Sequence, residues 1–468
     1  MKLHPIQLSF HGAARMVTGS KHLIQLADGY RLLLDCGMFQ GQSGQAYAMN
    51  REWGFDPQDI HAVILSHAHI DHSGLLPRLV AQGFAGPIWC TSGTRDLAEA
   101  LLLDSAKIQE ADIRYLRKKK QDMDIEPLYT AEDVERTIHR MQVVPFFEEV
   151  SIRPGVNFHF TEAGHIIGSG VINLCITDED KETTLCFSGD VGRYNDEILT
   201  APSIFPQSDY IICESTYGDS LHPPIEATDR KLLEIITETC LRKKGKLIIP
   251  AFSVGRTQEL VYALNRLEVS KALPPIPFYV DSPLSSRATE VTVAHSECYN
   301  HRLLKFMERD PEPFDFPNLQ YITDVEDSMQ LNTRQEPCVI ISASGMADAG
   351  RVKHHIKHAI ADSRNSILIV GYCEPQSLGA RLSRGQKEVS IFGNPYPVRA
   401  DIYNLRSFSA HADYDDLIQF LSCQDSKQVK KLFLVHGEPE VQLTFKEKLF
   451  RRGFRHIEIP EMHQSFTL

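Results

Sequence analysis

The chain has 468 residues, 42% hydrophobic and 24% charged, with a formal net charge of −12. That length exceeds one ordinary core and predicts two domains, and the mix is that of a soluble globular protein rather than a disordered or fibrous one. No apolar run is long enough to span a membrane, and the acidic balance disfavours a sequence-blind, high-affinity binder of nucleic acid while leaving a local cleft free to take an anion.

The opening residues Met1–Pro5 lead into a strand-like pattern instead of a signal-peptide apolar region, so a cytoplasmic location is expected. Strands are then predicted at Arg31–Asp35, His61–Ser66, Val171–Ile176, Thr184–Ser188, Tyr210–Glu214, Lys246–Ala251, Pro277–Asp281, Val339–Ala343, Ile367–Tyr372 and Lys431–His436. Helical periodicity marks Thr94–Lys107, Thr228–Arg242, Arg256–Leu267, Gly350–Ala361, Tyr414–Leu421 and Glu440–Phe450. This alternation is that of an α/β protein. Prolines cluster at Ala201–Pro206 and Gly393–Pro397, and residues of the kind metals use lie outside these marks. The expected organisation is a first domain at 1–203, an insert at 204–388, and a return to the first domain at 389–468. Ten cysteines are scattered with no knuckle or redox spacing, which predicts reduced, mostly structural thiols.

One loop carries most of the chemistry. Directly after an apolar strand the chain reads Ser66-His67-Ala68-His69-Ile70-Asp71-His72-Ser73-Gly74. Buried imidazoles and a carboxylate at this density are costly unless a divalent ion satisfies them. Neighbours on extended chain point opposite ways, so two ions share the loop more easily than one: His67 and His69 on the first, Asp71 and His72 on the second.

The loop resembles the His-x-His-x-Asp-His motif of the metallo-β-lactamase superfamily. The resemblance continues in order through Gly164–Ser169, Phe187–Asp190 and Leu434–Glu438. It implies an αββα sandwich holding two zinc ions: one on His67, His69 and His165, the other on Asp71, His72 and His436, with Asp190 bridging. Asp35, in Leu34-Asp35-Cys36-Gly37, matches the family's first motif, where it orients a histidine ligand.

The middle of the chain resembles the β-CASP subgroup of that superfamily. Ile212–Gly218 is similar to motif A and Ser407–Tyr414 to motif B, while His436 doubles as motif C; Pro250–Thr257, Asp281–Leu284 and Ser342–Met346 are further stretches typical of the subgroup. The expected fold is thus α/β, a metallo-β-lactamase αββα sandwich with an inserted α/β β-CASP domain. The nearest resemblance is to prokaryotic relatives of the nuclease subunit of the cleavage and polyadenylation machinery. Histidine at motif C implies an RNA substrate, hydrolysed to 5′-phosphate and 3′-hydroxyl ends, with endonucleolytic and 5′→3′ exonucleolytic action both open. A homodimer is among the states this architecture allows.

Three groups take catalytic roles in this reading: Asp71 at the metals, His411 as general acid, and Glu214 as the carboxylate that orients it. Ser344, Gly345 and Met346 join a strand to a helix, where exposed amides favour a substrate phosphate, with Arg351 as a supporting cation. His354, His355 and His358 share a helix that is expected to face solvent or RNA rather than to chelate a metal. The run Arg114–Lys120 reads as a solvated charged face, with RNA steering as the alternative. Three rival functions remain at this stage: a hydrolase of small thioesters or lactams, a DNA nuclease, and a non-catalytic RNA-binding subunit.

Overall fold

A strand with one apolar face must bury that face against another layer, and in this chain two sheets bury theirs against each other. A computed structural model describes residues 5–41, 44–119, 126–178, 181–222, 228–371, 373–405 and 410–468. Tyr372, Ser407–Ser409 of motif B and Lys120 of the basic run lie outside the described residues, as do the side chains of Lys118 and Lys119. Among the described residues no helix is long and apolar enough to cross a membrane, and all ten cysteines are unpaired.

The chain separates into two units, Met1–Leu221 with His411–Leu468, and His222–Ala410. In the first unit one seven-stranded sheet runs in the order Ser465–Thr467, Gln7–Phe10, His22–Gln25, Arg31–Leu34, Ala62–Ile64, Ile88–Cys90, Met141–Val143. The other runs Ile457–Glu458, Lys431–Val435, Tyr210–Glu214, Lys181–Phe187, Gly170–Asp178, Val156–Glu162, Val150–Arg153. Between them lies one core, to which Leu8, Phe10, Ile24 and Leu34 contribute from the first sheet and Phe158, Phe160, Ile172 and Phe433 from the second. Alternation places Val156, Phe158 and Phe160 in that core and leaves Asn157 and His159 half-buried. The far face of the second sheet, through Ile211, Cys213, Leu432 and Leu434, packs on helices Tyr414–Leu421 and Pro439–Arg451. Helices Leu76–Ala81, Ser92–Lys119 and Ala131–Ile138 pack together beside the first sheet and complete the αββα layering.

The second unit holds a six-stranded, all-parallel sheet in the order Leu319–Ile322, Phe278–Asp281, Val339–Ser342, Leu247–Pro250, Ser366–Val370, Asp401–Leu405. Its central strands are buried along their whole length, as parallel strands covered on both faces must be.

The units change hands later than the proline clusters suggest, at 221/222 and 410/411 rather than 203/204 and 388/389. The reason is strand pairing. Tyr210–Glu214 lies between Lys181–Phe187 and Lys431–Val435 and so belongs to the sandwich. Asp401–Leu405 extends the parallel sheet beside Ser366–Val370 and so belongs to the insert. The prolines at 201–206 lie in a loop of the sandwich and those at 395 and 397 in a hairpin strand of the insert, so neither cluster marks a crossing.

Candidate metal centre

Parallel pairing sets the site. Phe187 stands opposite Ile212, and Glu214 opposite Val435, so the strands carrying Asp190, Glu214 and His436 end side by side. The loop after Ala62–Ile64 brings His67 and His69, and the short helix Ile70–Ser73 brings Asp71 and His72. Gly189 turns the chain between its strand and Asp190 at φ 55°, where an added Cβ would meet the Ser66 side chain at 2.7 Å.

All seven expected ligands converge. His67 Nε2 and His165 Nε2 each lie 3.2 Å from His69 Nδ1, and Asp190 Oδ2 is 3.4 Å from the first and 3.5 Å from the second. On the other side, His72 Nε2 is 3.2 Å and His436 Nδ1 3.7 Å from Asp190 Oδ1, while His436 Nε2 is 3.4 Å from Asp71 Oδ2. Asp190 therefore turns one oxygen to each group. Burial pushes His67 down to about 3 and His69 to about 4, and holds His165 well below the ordinary histidine value. These imidazoles are neutral, and neutral lone pairs aimed at one another repel. His72 Nε2 and Asp190 Oδ1 are buried with no hydrogen-bond partner. A divalent cation on each side would satisfy these atoms, so the donor set fits a pair of divalent metal ions.

The tautomers are fixed from behind. Asp35 accepts the Nδ1–H of His72 at 2.6 Å and the hydroxyl of Ser66 at 2.8 Å. With its proton thus committed, Ser66 Oγ takes the Nδ1–H of His67 at 3.1 Å. One carboxylate thereby orients two histidines, each presenting Nε2 inward. Thr216 acts alike on the other side: it donates to Glu214 Oε2 at 2.6 Å and lies 3.0 Å from His436 Nδ1. Lys21 is fully buried and donates to the carbonyls of Gly19 and Gly37, with its ammonium 4.0 Å from the Phe39 ring centroid. The loops it ties grip the Asp71 backbone, for Ser20 donates to the Asp71 carbonyl and a Cβ on Gly37 would sit 1.6 Å from it. Neither Ser66, Thr216 nor Lys21 is singled out by sequence reasoning. Ser66 and Thr216 do carry a weak signal, as hydroxyl residues at strand ends beside ligands.

Glu214 is completely buried, and accepts from the Val191 amide at 2.7 Å and from His411 Nδ1 at 3.3 Å. His411 is 22% exposed and also lies 3.9 Å from Asp190 Oδ2. Burial pulls this imidazole down, but the charges of Glu214 and Asp190 outweigh it and raise it to about 9. A protonated histidine, reachable from solvent and backed by a buried carboxylate, is equipped to donate a proton.

The expected phosphate loop behaves differently. Ser344–Met346 does join strand Val339–Ser342 to helix Gly350–Ala359, and the amides of Gly345 and Met346 have no partner among the described residues. Arg351, however, is no free cation. It donates to the buried carboxylate of Asp281 at 2.6 Å and to the carbonyls of Ile322 and Thr323. Asp281 also takes Ser328 and His355 at 2.5 and 2.6 Å. A buried carboxylate needs such partners, and it claims Arg351 for the frame of the insert. Arg351→Ala is accordingly expected to lower the unfolding free energy by about 3 kcal/mol in a denaturant titration while KM for RNA stays put. Unchanged stability with a raised KM would return Arg351 to the phosphate. His355 is buried by the same network, so only His354 and His358 of that helix are exposed, and no metal-binding group forms there among the described residues.

Comparison with known proteins agrees with this geometry. Residues 19–238 match the metallo-beta-lactamase superfamily, 257–382 the Beta-Casp domain, and 395–460 the Zn-dependent metallo-hydrolase RNA specificity domain. The chain is 36% identical over 442 residues to a ribonuclease of Thermus thermophilus, covering 94% of this chain and 95% of that one. It is 30% identical to two proteins of Methanocaldococcus jannaschii. One is the transcription termination factor FttA (96% of this chain, 69% of that one), the other an RNase J-like protein (94% of each). A crystal structure of a protein of unknown function from Enterococcus faecalis shares the fold at a TM-score of 0.56 and 12% identity, across 99% of this chain and 100% of that one. The chain belongs to the metallo-β-lactamase superfamily, in its β-CASP branch of metal-dependent hydrolases.

Proposed function

We propose that this protein is a zinc-dependent ribonuclease that hydrolyses RNA phosphodiester bonds, leaving 5′-phosphate and 3′-hydroxyl ends. The observation that carries the reading is Asp190, a single buried carboxylate shared between two groups of metal-binding side chains, with the protonated His411 beside it. The ribonuclease named among its relatives and the RNA specificity domain at 395–460 support RNA as the substrate.

His67, His69 and His165 would hold one ion and Asp71, His72 and His436 the other, with Asp190 common to both. A bound pair supplies Lewis-acid charge at the phosphoryl oxygens and a water nucleophile active at neutral pH. Asp35 and Thr216 orient the ligating rings of His72 and His436. His411 gives its proton to the departing 3′-oxygen, and Glu214 holds its ring in place and maintains its charge. The amides of Gly345 and Met346, in the Ser344–Met346 loop, take a substrate phosphate. Because water, not the neighbouring 2′-hydroxyl, is the nucleophile, no 2′,3′-cyclic phosphate forms.

Endonucleolytic action is the mode we assign, and matched linear and circular RNAs test it. Protein stripped by a chelator is expected to cut neither, and added zinc to restore cutting of both. Zinc-restored cleavage of the linear form alone would replace the assignment with 5′→3′ exonuclease action. Activity that survives stripping would overturn the metal mechanism.

A further inference from the structure

The outer face of helix Gly350–Ala359 carries a feature that the metal centre does not use. His354 and His358 are one turn apart on that face and both exposed. The His354 ring lies 4.6 Å from Phe392, and Lys353 Nζ lies 5.0 Å from the same ring. Phe392 sits at the tip of the hairpin Glu388–Ile391/Asn394–Pro397, with φ 52° at Phe392 and 80° at Gly393. Two consecutive left-handed residues make a turn that favours Asn, Asp or Gly in the first place. A phenylalanine there is strained, and at 47% exposure its burial does not repay the strain.

His358 in turn lines a cavity of about 170 Å³ together with Lys244, Lys246, Arg334, Asp362 and Arg364. Asp362 is taken up by Arg364 through three contacts of 2.7–3.2 Å. Among the described residues, Lys244, Arg334, Lys353, Lys357 and His358 have no carboxylate within ion-pair distance. Burial lowers both His354 and His358, and the leading charges that act on them are also positive, from Lys357, Lys353, His355 and Lys246. Helix ends explain part of this: Lys246 caps the carbonyls of Leu331 and Asn332, and Lys357 sits in a last turn. Arg334 donates to the Tyr279 hydroxyl at 2.9 Å and Lys353 to the Asp348 carbonyl at 3.0 Å, neutral partners that leave both charges unbalanced; Lys244 and the exposed, strained aromatic have no such account. In a chain of net charge −12, an unbalanced cationic strip ending in an aromatic ring has the two parts by which single strands are held: cations for the backbone and a face for a base.

We propose that this strip is a second RNA-binding surface, lying on the insert itself. A base stacks on Phe392 against His354, and a neighbouring phosphate enters the cavity beside His358, Lys244 and Arg334. The strip holds a single strand too long to be accommodated by the metal centre alone. The assignment of RNA as occupant rests on the ribonuclease reading.

The test compares a short and a long single-stranded RNA, using full-length, zinc-loaded protein. Phe392→Asn suits the left-handed turn and removes the ring; Lys244→Glu with Arg334→Glu reverses the cavity charge. Each is expected to raise KM for the long RNA about 5-fold or more with kcat unchanged. Both are expected to leave the short RNA untouched, which also certifies their folding. The charge reversal should in addition flatten the salt dependence of long-RNA binding, by about one unit of log–log slope for each phosphate that is no longer neutralised. Equal KM values for wild type and both variants on the long RNA would overturn the strip, as would equal losses on short and long. If the wild type binds long RNA through these residues yet cuts none, the strip stands and the ribonuclease reading falls.

Discussion

Asp190→Ala is expected to reduce RNA cleavage by on the order of 10³-fold or more, since the variant loses both the metal pair and the activated water that depends on it. The carboxylate is buried, with five imidazoles around it: His67, His72 and His165 at 3.2–3.5 Å, His436 at 3.7 Å and His411 at 3.9 Å. Among the described residues Asp190 is the carboxylate within ion-pair distance of imidazoles from both groups, whereas Asp71 pairs with His436 beside His72, and Asp35 lies behind His72 and Ser66. Removing it leaves the two groups of ligating side chains with no carboxylate shared between them, and metal content should fall with activity. Asp35→Ala gives the contrast: its loss loosens the orientation of His72 and His67, which typically costs 10–100-fold in metal affinity and is recoverable with excess zinc. Metal analysis beside single-turnover cleavage separates the two. If Asp190→Ala kept a full complement of metal and cut RNA at the wild-type rate, the shared-ligand role would be lost.

How much of this site the sequence discloses depends on the separation of its parts. The loop His67–His72 is legible because four ligands fall within six residues at a strand end. His165, Asp190 and His436 stand alone, and only motif resemblance singles them out. What unites them is strand register, Phe187 opposite Ile212 and Glu214 opposite Val435, which no local pattern encodes. Ser66, Thr216 and Lys21 escape for the same reason: their roles consist of hydrogen bonds to residues distant in the chain. Arg351 illustrates the opposite failure. A helix start with an arginine beside it looks like an anion site, but Asp281, 70 residues earlier, is already buried against it. In the fold, buried parallel strands read clearly as apolar runs. The edge pair Val150–Arg153 and Val156–Glu162, and the short His22–Gln25, give no such signal because half or more of their residues are polar or only partly buried. Proline is a poor guide to the crossings, since Pro395 and Pro397 lie in a strand and whether a break ends a unit depends on which strand follows it.

The second large effect concerns the proton. His411→Ala is expected to lower kcat by about 10²–10⁴-fold, the range for a general acid, with metal content intact. That combination distinguishes it from Asp190→Ala, since His411 stands at the edge of the centre, 3.9 Å from Asp190 Oδ2 and 4.4 Å ring to ring from His165. The pH profile gives the sharper reading. His411 must be protonated to donate, and with its value raised to about 9 it remains so through neutral pH. Activity should therefore hold from neutrality and fall as pH rises through about 9. Burial works against the charged ring, and Glu214 is the leading charge that overcomes it. Glu214→Gln removes that charge while keeping an oxygen for the Val191 amide. In the variant the desolvation is no longer fully opposed, so the alkaline limb of kcat should move down by a unit or more, toward the ordinary histidine value near 6.5. A role confined to packing would lower activity evenly at every pH. If Glu214→Gln left the alkaline limb in place, His411 would not be the acid, and the 3′-oxygen would draw its proton from another group.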